Sequence, residues 1–397
     1  MSLRAGVLAI VVFGVALLPG PGIAQTSREP SIYQPVTPEE IERLRRQIVE
    51  DERSTVEVVS DYHAESGDLN NRLDWWRAGA RLNYKLKPGT VLYVSGTGTR
   101  YMTTDPHFAE WGANLTLGGG TALSDAVRVQ LELGATYFTT DTVSVNGLAG
   151  VKFAPSDVWS LYAVASRSNV EESLLSATGL RPKVGPFAGD LVGPVMENKG
   201  VVGAIVKLPF KLDAFLEGGV GTRAGENVGS NFFQQVQGGL GYDVLSGLDD
   251  KPLSFVRVSY LLNYFGFADD RLGYGGASLL TADGQRINPN LLGSDGIAPS
   301  PGPGHPGVGG YFSPEYYVSN TVRAELAGRV IPELRYRFSA FVGVQSYTDQ
   351  STQAVGGLSA TVEYALTDRV SIPATIRWDT LGPYSQETFS LKLVIKL

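Results

Sequence analysis

The chain has 397 residues, no Cys, and a formal net charge of −7 from 33 Lys and Arg against 40 Asp and Glu. An acidic balance argues against nucleic acid, which needs a basic face, and without cysteines there is no disulfide framework. Glycine reaches 48 residues and aromatics 10%, while charged residues make up only 18%. A soluble β-sandwich, a propeller and a membrane β-barrel share such a composition, so the choice rests on pattern.

Arg4, the apolar run from Val7 to Leu18 and the small residues of Gly22-Ile23-Ala24 describe a secretory signal peptide over 1–24. The run is too short, and broken too soon by Pro19 and Pro21, for a spanning helix. Cleavage after Ala24 removes one charge, Arg4, and leaves 32 basic residues and a net charge of −8. Residues 25–54 read as a periplasmic lead-in segment. Within it, Thr37-Pro38-Glu39-Glu40 is a helix start, with Thr as N-cap and Pro at the first helical position. Ile41, Leu44 and Ile48 carry a thin apolar stripe on towards Glu52. A solvated lead-in helix and a docking or lumen-plugging helix both fit that stripe.

From Ser54 the period changes to two. In 73–86, Trp76, Ala78, Ala80, Leu82, Tyr84 and Leu86 oppose Arg77, Gly79, Arg81, Asn83 and Lys85. The same alternation runs through 127–138, 254–266, 334–346, 354–366 and the last strand, where Phe389, Leu391, Leu393, Ile395 and Leu397 share a face. Short turns fall at Lys87–Gly89, Ser124-Asp125, Pro155–Asp157, Pro209–Lys211, Gly247–Pro252, Ile331–Glu333 and Thr367-Asp368. Between them lie more variable links near 66–71, 103–108, 139–142, 170–198, 225–231, 268–310, 348–354 and 380–386. Seven turns and eight loops make fifteen connections and sixteen strands, with both ends on the periplasmic side. The prediction is an all-β, transmembrane antiparallel β-barrel over 55–397 in the bacterial outer membrane.

A barrel of this size is wide enough for a water-filled channel. Its polar face is predicted to line that channel, because an arginine facing lipid at mid-membrane costs about 2–4 kcal/mol. The basic candidates for the lining are Arg77, Arg81, Arg128, Arg257, Arg323, Arg335, Arg337 and Arg377; Glu132, Glu217, Glu325 and Glu363 face the same way. Cross-strand pairing that stiffens the wall explains these charges, and so does a hydrogen-bonding path for a hydroxyl-rich solute. Phe341 and Tyr347 fall on the same face and are candidates for sugar contact. Trp75, Trp76, Tyr84, Tyr137, Trp159, Tyr260, Tyr264, Tyr336 and Tyr364 are expected in interface girdles. His63, His107 and His305 lie in or beside predicted loops with no metal-ligand spacing, so no metal, cofactor or catalysis is expected. Gly118-Gly119-Gly120 and Gly238-Gly239 read as bends or close backbone approaches.

Four segments carry a resemblance. They are Arg167–Gly179, with Val170-Glu171-Glu172-Ser173-Leu174-Leu175-Ser176; Gly225–Asn231, with Asn227-Val228; Leu262–Phe267; and Gly309-Gly310-Tyr311-Phe312-Ser313-Pro314. In this order they resemble the C-terminal barrel domain of bacterial cellulose synthase operon protein C, over roughly 55–397. The resemblance implies a pore passing a nascent exopolysaccharide, cellulose or a related β-linked polymer, that an inner-membrane synthase pushes. Such proteins usually carry a long tetratricopeptide-repeat array before the barrel. Here the lead-in segment stands in its place, so a separate periplasmic repeat scaffold is expected as a partner, alongside the polymer and outer-membrane lipid. A general or solute-selective porin, an outer-membrane lipid hydrolase and a plugged structural barrel are the alternative readings. The motif Gly309, Gly310, Tyr311, Phe312, Ser313, Pro314 is expected to shape the exit gate at the descending edge of the largest loop. Pro314 excludes a continuous ladder there, which puts the start of the next strand near Glu315.

Overall fold

A repeat of two puts alternate side chains on opposite faces of a strand, and each alternating stretch of this chain is a strand. The computed structural model describes residues 54–67, 73–103, 108–181, 189–246, 251–269, 311–348, 350–381 and 384–397. The signal peptide, the lead-in helix, His107, His305, Gly309, Gly310 and nearly all of the 268–310 loop lie outside them.

Sixteen antiparallel strands close into one barrel in which each pairs with its sequence neighbours. They are β1 (Thr55–Gly67), β2 (Asp74–Lys87), β3 (Thr90–Thr103), β4 (Phe108–Ala122), β5 (Val127–Phe138), β6 (Thr142–Phe153), β7 (Trp159–Asn169), β8 (Val195–Leu208), β9 (Leu212–Gly225), β10 (Val228–Leu245), β11 (Phe255–Phe267), β12 (Tyr317–Ile331), β13 (Leu334–Tyr347), β14 (Gln350–Thr367), β15 (Val370–Leu381) and β16 (Tyr384–Lys396). The last strand joins the first through a ladder from Thr55↔Lys396 to Gly67↔Tyr384. Closure matters because a bilayer core offers no partner to an unpaired strand edge.

The outer face is apolar and open. Leu115, Leu133, Val202 and Val342 are 58–69% exposed. In water this would be a continuous aggregation-prone surface; in a bilayer it is the lipid contact. The start of β1, the end of β16 and the short turns share one end of the barrel, and the longer connections share the other, which assigns them to the periplasm and the exterior.

Two glycines explain how the inner wall is tiled. Tyr93 on β3, Gly118 on β4 and Glu132 on β5 lie side by side in register. Tyr162 on β7, Gly203 on β8 and Glu217 on β9 repeat the arrangement. In each case the tyrosine ring lies flat over the glycine and its hydroxyl donates to the glutamate two strands away. A Cβ at either glycine would stand 2.3 Å from the ring. These glycines are therefore sockets for a tyrosine on the neighbouring strand, and the close approach is to a side chain.

One of the expected girdle residues is misplaced. Trp75 is 2% exposed and points into the barrel, where its ring stacks on His63 at 5.1 Å. The reason is the period itself: Trp75 and Trp76 are adjacent, so only one of them can face lipid. His63 likewise sits on β1, buried, rather than in a loop.

Candidate functional site

The extracellular end of the lumen is filled by a buried apolar cap. Its centre is the connection between β7 and β8, which turns inward. Glu171 and Glu172 lead into a short helix, α1 (Leu174–Thr178), whose five residues are all buried. Ser173 and Ser176 cap its start reciprocally, each side chain meeting the other's backbone N–H, and Gly179 ends it. Leu180 and Val192 then pair through two 2.8 Å backbone hydrogen bonds, which brings the segment back to the wall. The Asn227 amide donates to the Leu191 carbonyl at 2.7 Å and so ties the returning segment to the β9–β10 turn.

Around α1 one contiguous cluster joins residues from strands far apart in the ring. It holds Trp75 and Tyr101 from β2 and β3, Phe233 from β10, Phe265 and Phe267 from β11, and Tyr317 and Tyr347 from β12 and β13. In a ring of sixteen, β3 and β11 are eight strands apart, hence on opposite walls. A cluster that includes both spans the lumen. Tyr311 and Phe312, 0% and 4% exposed, form its other half. The Phe312 ring sets its edge against Phe265, Tyr317 and Tyr347 at centroid distances of 5.2–6.3 Å. Phe265 stacks on Tyr317 at 4.6 Å.

Two adjacent carboxylates fasten the cap to both sides. Glu171 receives both hydrogen bonds of an Arg77 amine, at 2.7 and 3.0 Å, and one from the Tyr101 hydroxyl at 2.7 Å. Glu172 accepts from Arg223 on β9 at 2.8 Å and from the Phe312 backbone N–H at 2.6 Å. Arg223 is itself held by Glu197 at 2.9 Å. β2 and β9 are seven strands apart, so neighbouring residues of one loop reach nearly opposite walls. Glu172 also joins the β7–β8 loop to the Tyr311–Pro314 segment, which is 140 residues away in sequence. Charge-assisted bonds of this kind are the stronger class, and here they are mostly withdrawn from water.

Most of this was not visible in the sequence. Glu171 and Glu172 stood in a family-like segment with no role assigned to them, and Arg223 and α1 were not singled out, although Ser173-x-x-Ser176 is a capping signal. Tyr311, Phe312, Ser313 and Pro314 lie at the inner edge of the mouth. β12 begins at Tyr317, two residues beyond the expected start; Tyr311 to Pro314 before it are buried, and Glu315 and Tyr316 are exposed. Tyr347 is on the inner face, but Phe312 covers it and leaves it 7% exposed.

Below the cap, register places the other candidate residues on the inner face. Arg257 is bound by Asp213 and Asp243 at 2.7 and 2.8 Å. Arg337 is paired with Glu325, and Arg377 with Asp379 at 2.6 Å. Arg81 stacks over the Tyr93 ring at 3.7 Å, and Tyr93 donates to Glu132. Arg323 stands over Phe341 at 5.8 Å. Arg335 is the register neighbour of Glu363, and Arg128 that of Lys152. His63 meets Glu65 at 3.0 Å and Thr388 at 3.4 Å, not a serine. Among the described residues no cluster of His, Asp or Glu is arranged to hold a metal ion.

Residues 88–275 match the family model described as cellulose synthase operon protein C C-terminus. Comparison with curated protein sequences gives no match. Among solved structures, a bacterial polysaccharide outer membrane secretin superposes with a TM-score of 0.59 at 11% identity, covering 87% of this chain and 98% of that one. The CymD monoaromatic hydrocarbon channel gives 0.44 at 10% identity over 87% and 89%. OccK11 (OpdR) of Pseudomonas aeruginosa gives 0.40 at 11% identity over 88% and 96%.

Proposed function

We propose, from the match of residues 88–275 to the family model described as cellulose synthase operon protein C C-terminus, that this bacterial outer-membrane barrel exports a nascent exopolysaccharide made by an inner-membrane synthase. The observation that carries the reading is the cap. A diffusion porin needs a standing water path, whereas a secretion pore that waits for a polymer needs a mouth that closes between chains. The cap supplies such a closure, with Tyr311, Phe312, Ser313 and Pro314 as one half and α1 as the other. The four family-like segments, dispersed from 167 to 314 in sequence, all contribute to it: Glu171 to Gly179, the Asn227-Val228 turn, Phe265 with Phe267, and Tyr311 with Phe312. Gly309 and Gly310, which precede Tyr311 in sequence, belong to the proposed gate motif and lie outside the described residues.

The shaft below suits a sliding polymer. Its ions are met by ions of opposite sign or by aromatic rings, so hydroxyls find many weak sites and no strong one. The lumen residues Arg81, Glu132, Arg257, Arg323, Glu325, Arg337, Phe341 and Arg377 form this path. The polymer is cellulose or a related β-linked glycan, in keeping with the family. A signal peptide over 1–24, a lead-in segment over 25–54 and the barrel over 55–397 complete the plan, with a separate periplasmic repeat scaffold as partner.

Deleting the gene tests the reading. Surface polysaccharide should disappear while intracellular synthesis continues; unchanged surface polymer would sink it.

A further inference from the structure

Near the exterior, the seam between β6 and β7 opens. β6 is paired with β5 as far as its first residue, Phe138↔Thr142, but its ladder with β7 stops at Gly147↔Arg167. β7 goes on to Asn169 and stays with β8, where Asn169 is opposite Met196. β7 leads into the loop that turns inward to α1, and the β5–β6 hairpin does not.

The opening is bridged on both sides. On the lipid face, Arg167 Nε donates to the Val145 carbonyl of β6 at 3.0 Å, and a terminal amine of the same group donates to Asn198 Oδ1 of β8 at 2.7 Å. Inside, the end of α1 is fastened to both strands' ends. The Asn169 amide donates to the Ala177 carbonyl at 2.8 Å, and the Thr140 hydroxyl, from the β5–β6 turn, donates to the Thr178 carbonyl at 2.7 Å.

Three side-chain oxygens at this seam are buried without a hydrogen-bond partner: Ser144 Oγ and Asn146 Oδ1 on β6, and Asn169 Oδ1 on β7. Ser144 is 4% exposed. Ser144 and Asn146 alternate with the exposed Val143 and Val145, which puts them on the lumen face. The two amide nitrogens are engaged, Asn146 with Thr136 Oγ1 at 3.1 Å and Asn169 with Ala177, so what remains is acceptors. A buried acceptor without a donor is destabilising, and native structures keep few of them. Hydroxyl groups supply donors without charge, whereas an anionic sugar would bring acceptors to acceptors.

We propose that this seam receives hydroxyl groups of the passing glycan, and that filling it loosens the end of α1 from the wall. The site rests on the export reading for its polymer and adds where that polymer touches the gate and what chemistry it needs there. The three oxygens are closed off in the resting barrel. A ligand that pairs with them therefore favours an arrangement in which α1 has moved, and shifts the population towards an open mouth.

The test is single-channel recording of the purified barrel with cellohexaose, a methyl-capped polyethylene glycol of similar mass and oligogalacturonate as probes. Cellohexaose should raise the open probability of the wild type. The capped glycol, which only accepts hydrogen bonds, and the anionic oligomer should not. Ser144→Ala, alone or with Asn146→Leu, should need about tenfold more cellohexaose for the same opening, as expected when partners in a shielded site are removed. S144A should lose heat-modifiable migration at the wild-type temperature or above it, because it deletes an unpaired polar atom; a residue that merely holds the wall together would lower that temperature. The single variant keeps the test valid if the double variant misfolds. Ile376→Ala, on the outer face of β15, should respond as wild type does. No response of the wild type, an equal response of the S144A variant, or equal opening by either comparison probe would overturn the proposal. Each of these leaves the gene-deletion result untouched, so the seam and the export reading fall separately.

Discussion

The two ends of this barrel are built on opposite principles. At the exterior, rings from opposite walls meet in the middle and two carboxylates draw a loop across the lumen. At the periplasmic rim, side chains of like charge stand next to one another and nothing apolar bridges them among the described residues. The first arrangement favours contact across the lumen, and the second favours holding it apart. A wall of continuous hydrogen-bonded strands can support both because its rigidity does not depend on what fills it.

The contrast can be broken from the exterior end. Phe312→Ala removes a ring that touches three others and should cost the cap about 3–5 kcal/mol of packing, the range for a buried aromatic. The expected result is entry of a bulky antibiotic that intact cells exclude; unchanged exclusion would mean that the ring is not part of the closure. Glu172→Ala should act in the same direction but more weakly. It removes the Arg223 and Phe312 contacts while Arg223 keeps Glu197. A charged hydrogen bond of this kind is worth about 1.5–3 kcal/mol, so the open fraction should rise by one to two powers of ten in the same assay.

Changes in the shaft sharpen the comparison, because they should alter barrel stability and leave the cap alone. Gly203→Val displaces the Tyr162 ring from its socket and should cost about 1–3 kcal/mol, as overpacking does. The readout is a lower temperature for loss of heat-modifiable migration, with antibiotic exclusion unchanged below it. Tyr162→Phe should be the mildest, about 0.5–1.5 kcal/mol, since Glu217 retains the Gln237 amide at 2.6 Å.

Barrel topology was legible because alternation is a local signal repeated on every strand. The alternation over 254–266 marks β11, and the structure has that strand at Phe255–Phe267. The loops were harder. The segment 170–198 was expected to be a variable external link, yet it descends into the lumen as α1. Its direction depends on Arg77 and Arg223, which belong to other strands and do not mark themselves as its partners. Tyr347 shows the same limit: parity gave its face correctly, but only the fold reveals that Phe312 covers it. Trp75 failed for a simpler reason, since residue type was allowed to outweigh parity.

Closure of the mouth, on the proposed reading, rests on the Glu171 and Glu172 tethers. Single-channel recording in planar bilayers tests it most directly, comparing wild type with the Glu171→Ala, Glu172→Ala double variant, both confirmed folded by heat-modifiable migration. Wild type should be almost silent, and the double variant should show large, long-lived openings. Steady conductance in the wild type, or silence in the folded double variant, would contradict it.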